Sequence, residues 1–237
     1  MNNDEVKTKK NIIKISKTNL SSLKSIENDS DTQIFITKCQ NLNQNDIPKN
    51  VKKLQIRNCG LNNILEICQI TQLEVLDVKH NAIQDIYSLE NLQQLKELNM
   101  SFNNIKEVQN LQLLIQLKTL LLFGNQIEEF KITTLRNVIK LDLGYNKLSD
   151  ITQLATLTQI KELYMYKNKI NNITPLRDLK ELTILDMRNN QIIDVSSLEL
   201  LNNLQFLDLR ENQIVLCQQI AETNQYKQYS VVIQFHH

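Results

Sequence analysis

The chain has 237 residues, a formal net charge of +1, 22% charged residues and only three histidines. A near-neutral balance excludes binding nucleic acid by bulk electrostatic attraction. Three histidines are too few for a metal cluster of familiar spacing, and no Ser or Cys carries a nucleophile motif, so the chain does not read as an enzyme.

Met1 to Asn11 is polar and lacks an apolar h-region, so no signal peptide is expected here. The lysines at 7, 9, 10, 14 and 17 read as a solvated polar end. A degenerate unit then starts near Lys10, with Ile13, Ile15, Thr18, Leu20, Leu23 and Ile26. A second starts near Asp31, with Ile34, Ile36, Cys39 and Leu42. Terminal units of a repeat array are expected to be atypical, because they cover an open end of the core.

From Val51 a regular repeat sets in, L-x-x-L-x-L-x-x-N-x-I-x-x-I-x-x-L-x-x-L-x-x. Its units begin at Val51, Leu73, Leu95, Leu117, Val138, Ile160, Leu182 and Leu204, with spacings of 22, 22, 22, 21, 22, 22 and 22. The ninth position reads Cys59, Asn81, Asn103, Asn125, Asn146, Asn168, Asn190 and Asn212. Apolar residues at positions four and six, such as Leu76 and Val78, share one face of an extended segment. Those that follow, Ile83, Ile86, Leu89 and Leu92, fall three apart and predict a tight 3₁₀-like or short α return. No unit of this size buries its apolar face alone, so neighbours must stack around a shared core. Where strand bends into return, inward backbone groups need partners, and an Asn amide supplies both donors and acceptors. The unit at Leu117 is one residue short, and the deletion falls in its return.

These residues resemble the leucine-rich repeat family, in the 22-residue class typified by a protein phosphatase 1 regulatory subunit and by bacterial internalins. The resemblance implies an α/β solenoid: a horseshoe of about ten coils with a parallel β-sheet on the concave face and short returns on the convex one. Expected divisions are 1–30 as a degenerate N-terminal cap, 31–214 as repeats and 215–237 as a C-terminal cap, in one continuous structural domain. The segment from Leu111 to Leu122 is Leu-rich but interrupted by Gln112, Gln116 and Lys118, so it is core and not a membrane span. Cysteines at 39, 59, 68 and 217 flank no cap as a tight pair and are expected as reduced thiols of an intracellular protein.

Function is then expected on the concave surface, at positions two, three, five, seven and eight of each unit. In the four units from Leu95 to Ile160, five of these twenty positions are aromatic: Phe102, Phe123, Tyr145, Tyr164 and Tyr166. That is about five times the 5% aromatic content of the chain. Gly124 lies between Phe102 and Tyr145 in one column, and Gly144 between Phe123 and Tyr166 in the next; both are expected as notches for a partner side chain. Leu121 and Asp142 fall within the patch. Asp77 and Lys79 on one side, and Asp186, Arg188, Asp208 and Arg210 on the other, form a charged rim. Apolar patches with polar rims mark protein interfaces. Equally, neighbouring rings stabilise a sheet with nothing bound, and Asp and Arg two apart form ordinary surface ion pairs.

The expected function is that of a cytoplasmic or nuclear scaffold or regulatory subunit, monomeric apart from a protein partner on its concave face and without cofactor or metal. The alternative is a secreted recognition protein of the internalin type. Nucleic-acid binding ranks third, because the concave charges are mixed in sign.

Overall fold

The computed structural model describes residues 12–16 and 32–214 with their side chains, together with the backbone of strands 7–9 and 230–232. One twelve-stranded sheet runs in chain order. Its strands are β1 (Lys7–Lys9), β2 (Ile12–Ser16), β3 (Gln33–Thr37), β4 (Lys53–Arg57), β5 (Val75–Asp77), β6 (Glu97–Asn99), β7 (Thr119–Leu121), β8 (Lys140–Asp142), β9 (Glu162–Tyr164), β10 (Ile184–Asp186), β11 (Phe206–Asp208) and β12 (Ser230–Val232). β1 pairs antiparallel with β2. Every later pair is parallel and in repeat register, as Leu76 with Leu98, Leu120 with Leu141 and Leu185 with Leu207. Strands β2 to β11 carry the ten coils that the period predicts, and β12 extends the sheet in parallel beyond β11. Expected core residues Thr18, Leu20, Leu23 and Ile26, and the tail residues Leu216, Cys217, Ile220, Ile233, Phe235, His236 and His237, lie outside the described residues.

The apolar columns form one continuous core. Leu73, Leu76, Val78, Ile83, Leu89 and Leu92 are each at most 1% exposed, and the same columns stay buried from Ile34 to Ile214. Each strand is three to five residues long. The ladder nevertheless continues past it: Val78 N–H donates to the Asn99 carbonyl at 2.8 Å and His80 N–H to the Ser101 carbonyl at 3.0 Å. At position eight the backbone then turns left-handed. Asn58, His80, Phe102, Tyr145, Lys167, Asn189 and Glu211 have φ between 54° and 58°, and Gly124 has φ 69°.

The asparagine column closes this bend and joins the coils. The amide of Asn103 donates to its own coil at the Met100 carbonyl (2.9 Å) and to the preceding coil at the Val78 carbonyl (3.1 Å). Its Oδ1 accepts the Ile83 N–H of that preceding coil at 3.0 Å. Asn125, Asn146, Asn168, Asn190 and Asn212 repeat the pattern, so each side chain satisfies three inward backbone groups. Cys59 makes a poorer version, its Sγ 3.4 Å from Cys39 N and 3.3 Å from the Arg57 carbonyl. Cys39, Cys59 and Cys68 are buried free thiols, and burial pushes Cys68 up to about 12.

The returns are 3₁₀ segments, for example Tyr87–Asn91, Gln109–Leu113, Thr152–Thr156 and Ser196–Leu200. Asp85, Asp150, Asn172 and Asp194, two residues ahead of a return N–H, each accept it at 2.8 to 2.9 Å. The short unit departs from this: residues 131–135 form no 3₁₀ segment. Thr134 and Asn137 tie that stretch to the Gln112 and Ile115 carbonyls of the coil before it, at 2.6 and 2.9 Å.

Asn103→Ala strands two buried carbonyls and one N–H, and should destabilise the chain by about 3 kcal/mol. Cys59→Asn should stabilise it by about 1 kcal/mol. Urea unfolding of both variants beside wild type measures each shift.

Candidate functional site

Register places positions three and five of each unit and the residues that follow on one surface, in columns roughly 4.8 Å apart. At position five, five units carry Asp or Asn, and their side chains do local work. Asp77, Asn99, Asp142, Asp186 and Asp208 each accept the N–H two residues on, from Lys79, Ser101, Gly144, Arg188 and Arg210, at 2.9 to 3.2 Å. This side-chain bond holds the strand end as it leaves the sheet.

Three of these aspartates also hold a guanidinium. Asp77, 5% exposed, pairs with Arg57 of the coil before it. Asp186 takes Arg188 through two bonds, at 2.9 and 2.8 Å. Asp208, 2% exposed, takes Arg210 and also lies 3.3 Å from Arg188. The predicted rim therefore consists largely of mutual pairs. Asp142 stands apart. Among the described residues no cation lies within ion-pair distance of it, and burial pushes its carboxyl above the usual range.

The predicted aromatics come together, and their contacts extend further than the ring count suggested. His80 stacks on Phe102 (centroids 4.2 Å apart, interplanar angle 15°), and Phe102 meets Phe123 edge-on at 4.7 Å. Phe123 in turn lies 5.9 Å from Tyr145 and 5.4 Å from Tyr166. Cations cover this cluster: Lys79 over Phe102 at 5.2 Å, Lys167 over Tyr145 at 5.1 Å and Arg188 over Tyr166 at 5.1 Å. Lys79 is thus part of the ring patch and not a separate rim charge. Tyr164 sits one column over, donating to Glu162 at 3.1 Å beneath Lys140, whose Nζ is 5.4 Å from the ring. Burial, reinforced by Glu162, pushes the Tyr164 phenol up to about 12, so it stays a donor. His80 is lowered by burial and by Lys79, which favours the neutral ring that stacks. Phe102 and Tyr145 remain exposed, at 38% and 54%; Phe123, Tyr164 and Tyr166 are half-buried.

The two expected notches are not open. A Cβ on Gly124 would lie 3.0 Å from the Phe102 ring, and one on Gly144 would lie 2.8 Å from Tyr166 and 3.1 Å from Phe123. The flanking rings have leaned into the space that each glycine leaves, gaining ring-to-ring and ring-to-backbone contact. Gly124 has a second reason to be glycine, since it occupies the left-handed column. His80, Lys167 and Lys140 were absent from the expected site. His80 and Lys167 share the column of Phe102 and Tyr145, and that shared position was the available signal.

Among the described residues no group of His, Cys, Asp and Glu could hold a metal ion, and no helix is long and apolar enough to cross a membrane.

A family model described as leucine-rich repeats in two copies matches residues 71–113 and 136–180. Internalin C2 of Listeria monocytogenes is 31% identical, with a TM-score of 0.73, over 82% of this chain and 84% of its own. Another internalin of that organism, inlF, has a TM-score of 0.73 at 24% identity; 83% of this chain matches, spanning 65% of that one. The ectodomain of a plant membrane receptor kinase from Arabidopsis thaliana, solved in complex with Casparian strip integrity factor 2, shares the fold at TM-score 0.68 and 21% identity. There 84% of this chain covers 26% of the receptor chain. A comparison with curated protein sequences finds no match. With its repeat register, its asparagine ladder and a neighbour 31% identical along most of both chains, this chain belongs to the leucine-rich repeat family.

Proposed function

We propose that the chain is a non-catalytic protein-binding scaffold or regulatory subunit of the cytoplasm or nucleus, engaging its partner on the concave face between Phe102 and Tyr166. Leucine-rich repeat proteins are typically interaction scaffolds, and the receptor ectodomain among the structural neighbours was solved in complex with Casparian strip integrity factor 2. One local observation carries the reading. At position five, where five units place a capping Asp or Asn, the second and fourth of the four central units place Leu121 and Tyr164. Their position-seven residues are the rings Phe123 and Tyr166. Those coils give up a bond that holds the strand end and gain exposed or half-buried aromatic surface.

Position eight points the same way. A left-handed backbone disfavours any side chain except Gly and, less strongly, Asn. This chain nonetheless places Phe102 and Tyr145 there with φ 54°. Every coil bends left-handed at this position, so the bend itself marks no site; what distinguishes the central coils is that they place rings there, and aromatic anchors dominate protein interfaces.

The secreted recognition reading rests on the 31% identity to internalin C2. Fractionation of the chain expressed from its own gene separates the two: recovery only in the medium would sink the intracellular scaffold.

Affinity capture with wild type beside a Phe123→Ala, Tyr164→Ala, Tyr166→Ala variant tests the patch. Affinity for a captured partner should fall by about 100-fold while thermal unfolding shows the variant still folded; unchanged affinity overturns the concave-patch reading. Tyr145→Asn should leave stability within about 0.5 kcal/mol, because Asn tolerates the left-handed bend. The same change should weaken partner binding by about tenfold.

A further inference from the structure

We infer that the concave face receives an arginine side chain from its protein partner, ion-paired to Asp142 beside the Phe123 and Tyr166 rings; this rests on the scaffold reading above. Three other aspartates at position five each hold a guanidinium of this chain. Asp186 and Asp208 take theirs from position seven of the same unit, Arg188 and Arg210. Asp77 takes Arg57 from position seven of the unit before.

In the Asp142 unit position seven is Gly144, which supplies a backbone N–H to Asp142 Oδ1 at 2.9 Å and no side chain. Position seven of the unit before is Phe123, which brings a ring and no charge. In register, Asp142 lies between Leu121 and Tyr164, neither of them cationic. The nearby cations are engaged elsewhere: Lys140 on Glu162 at 2.7 Å, Lys79 over Phe102, and Arg188 on Asp186 and Asp208.

An arginine at position seven is not open to this unit. Any side chain on Gly144 would enter the Tyr166 and Phe123 rings, whose centroids stand 5.4 Å apart. The charge is also not required by the turn. Asn99 makes the same bond to the Ser101 N–H at 3.0 Å with a neutral amide. Asp142 thus keeps a half-buried, unpaired carboxylate at the centre of an aromatic surface, where the fold needs only an acceptor. Burial, the largest influence, raises its carboxyl from the usual range even though the Gly144 N–H, Lys140 and Lys79 each act to lower it. A guanidinium answers this setting better than an ammonium: it bonds a carboxylate through two N–H groups and its flat face stacks on rings.

Panning a random twelve-residue peptide display library on the full chain supplies the probes, which calorimetry then ranks on wild type, Asp142→Asn and Phe123→Ala, Tyr166→Ala. Peptides lost by the ring variant should carry a common arginine. Asp142→Asn should weaken them by about tenfold or more, and replacing that arginine by the neutral isostere citrulline should weaken them equally, with no further loss when the two changes are combined. Ring-dependent peptides indifferent to Asp142→Asn would leave the patch standing and overturn the arginine. A library that yields no ring-dependent peptide overturns both. Asp142→Asn keeps the turn bond and removes a desolvated charge, so its thermal midpoint at pH 7 should equal or exceed that of wild type. A lower midpoint makes Asp142 a structural residue and also overturns the inference.

Discussion

The asparagine at position nine is the constraint from which the other features of this molecule follow. A single coil of about 22 residues exposes an apolar face and several inward backbone groups at its bend, and it can satisfy neither alone. Each Asn side chain answers both needs by reaching into the preceding coil: its Oδ1 accepts an N–H there and its amide donates to a carbonyl there while holding its own bend. Buried polar groups left without partners are costly. The bonds therefore bring one coil directly over the next, in a register that the apolar columns then fill.

That register is also what makes a surface. With coils stacked without slip, side chains at positions five, seven and eight line up across the sheet, and residues about 22 apart in sequence become touching neighbours. His80, Phe102 and Phe123 form one contact chain only because three successive coils present them at adjacent points. The concave face shows two solutions to its strand ends. In the outer coils Asp77, Asp186 and Asp208 cap the turn and neutralise themselves with arginines of the same chain. In the central coils Leu121, Phe123, Tyr164 and Tyr166 replace cap and pair with apolar and aromatic surface, and Asp142 keeps the cap without the pair. One region is internally satisfied, and the other leaves apolar surface and charge available to a partner.

The columns that make up the candidate site were legible in advance, but not their internal geometry. The columns containing Phe102, Phe123, Tyr145, Tyr164 and Tyr166 follow from the repeat alone. Two glycines between rings suggested open notches, because a sequence shows the missing side chain and not what moves into the vacancy. The rings of Phe102 and Tyr166 fill those spaces, since contact with a neighbour is more favourable than an empty gap. Cations arrayed along the sequence gave no sign of which would cover a ring and which would pair with a carboxylate. Lys79 and Arg210 occupy the same position in their units, yet the first lies over Phe102 and the second on Asp208. Flexible side chains choose among partners within reach, and reach is a property of the assembled sheet.

By itself the sequence determined the coil, the parallel sheet, the continuous core and the side-chain columns that line one face of the sheet. These depend on apolar and Asn spacing, which each coil repeats and stacking only reinforces. Tertiary structure alone decided that Arg57 reaches Asp77 in the next coil, that Arg188 also reaches Asp208, which cations lie over which rings, and that no cation among the described residues comes within ion-pair distance of Asp142. The reason is physical: these contacts arise between coils, from distances of a few ångströms across the sheet, and the spacing of residues along one coil does not contain those distances.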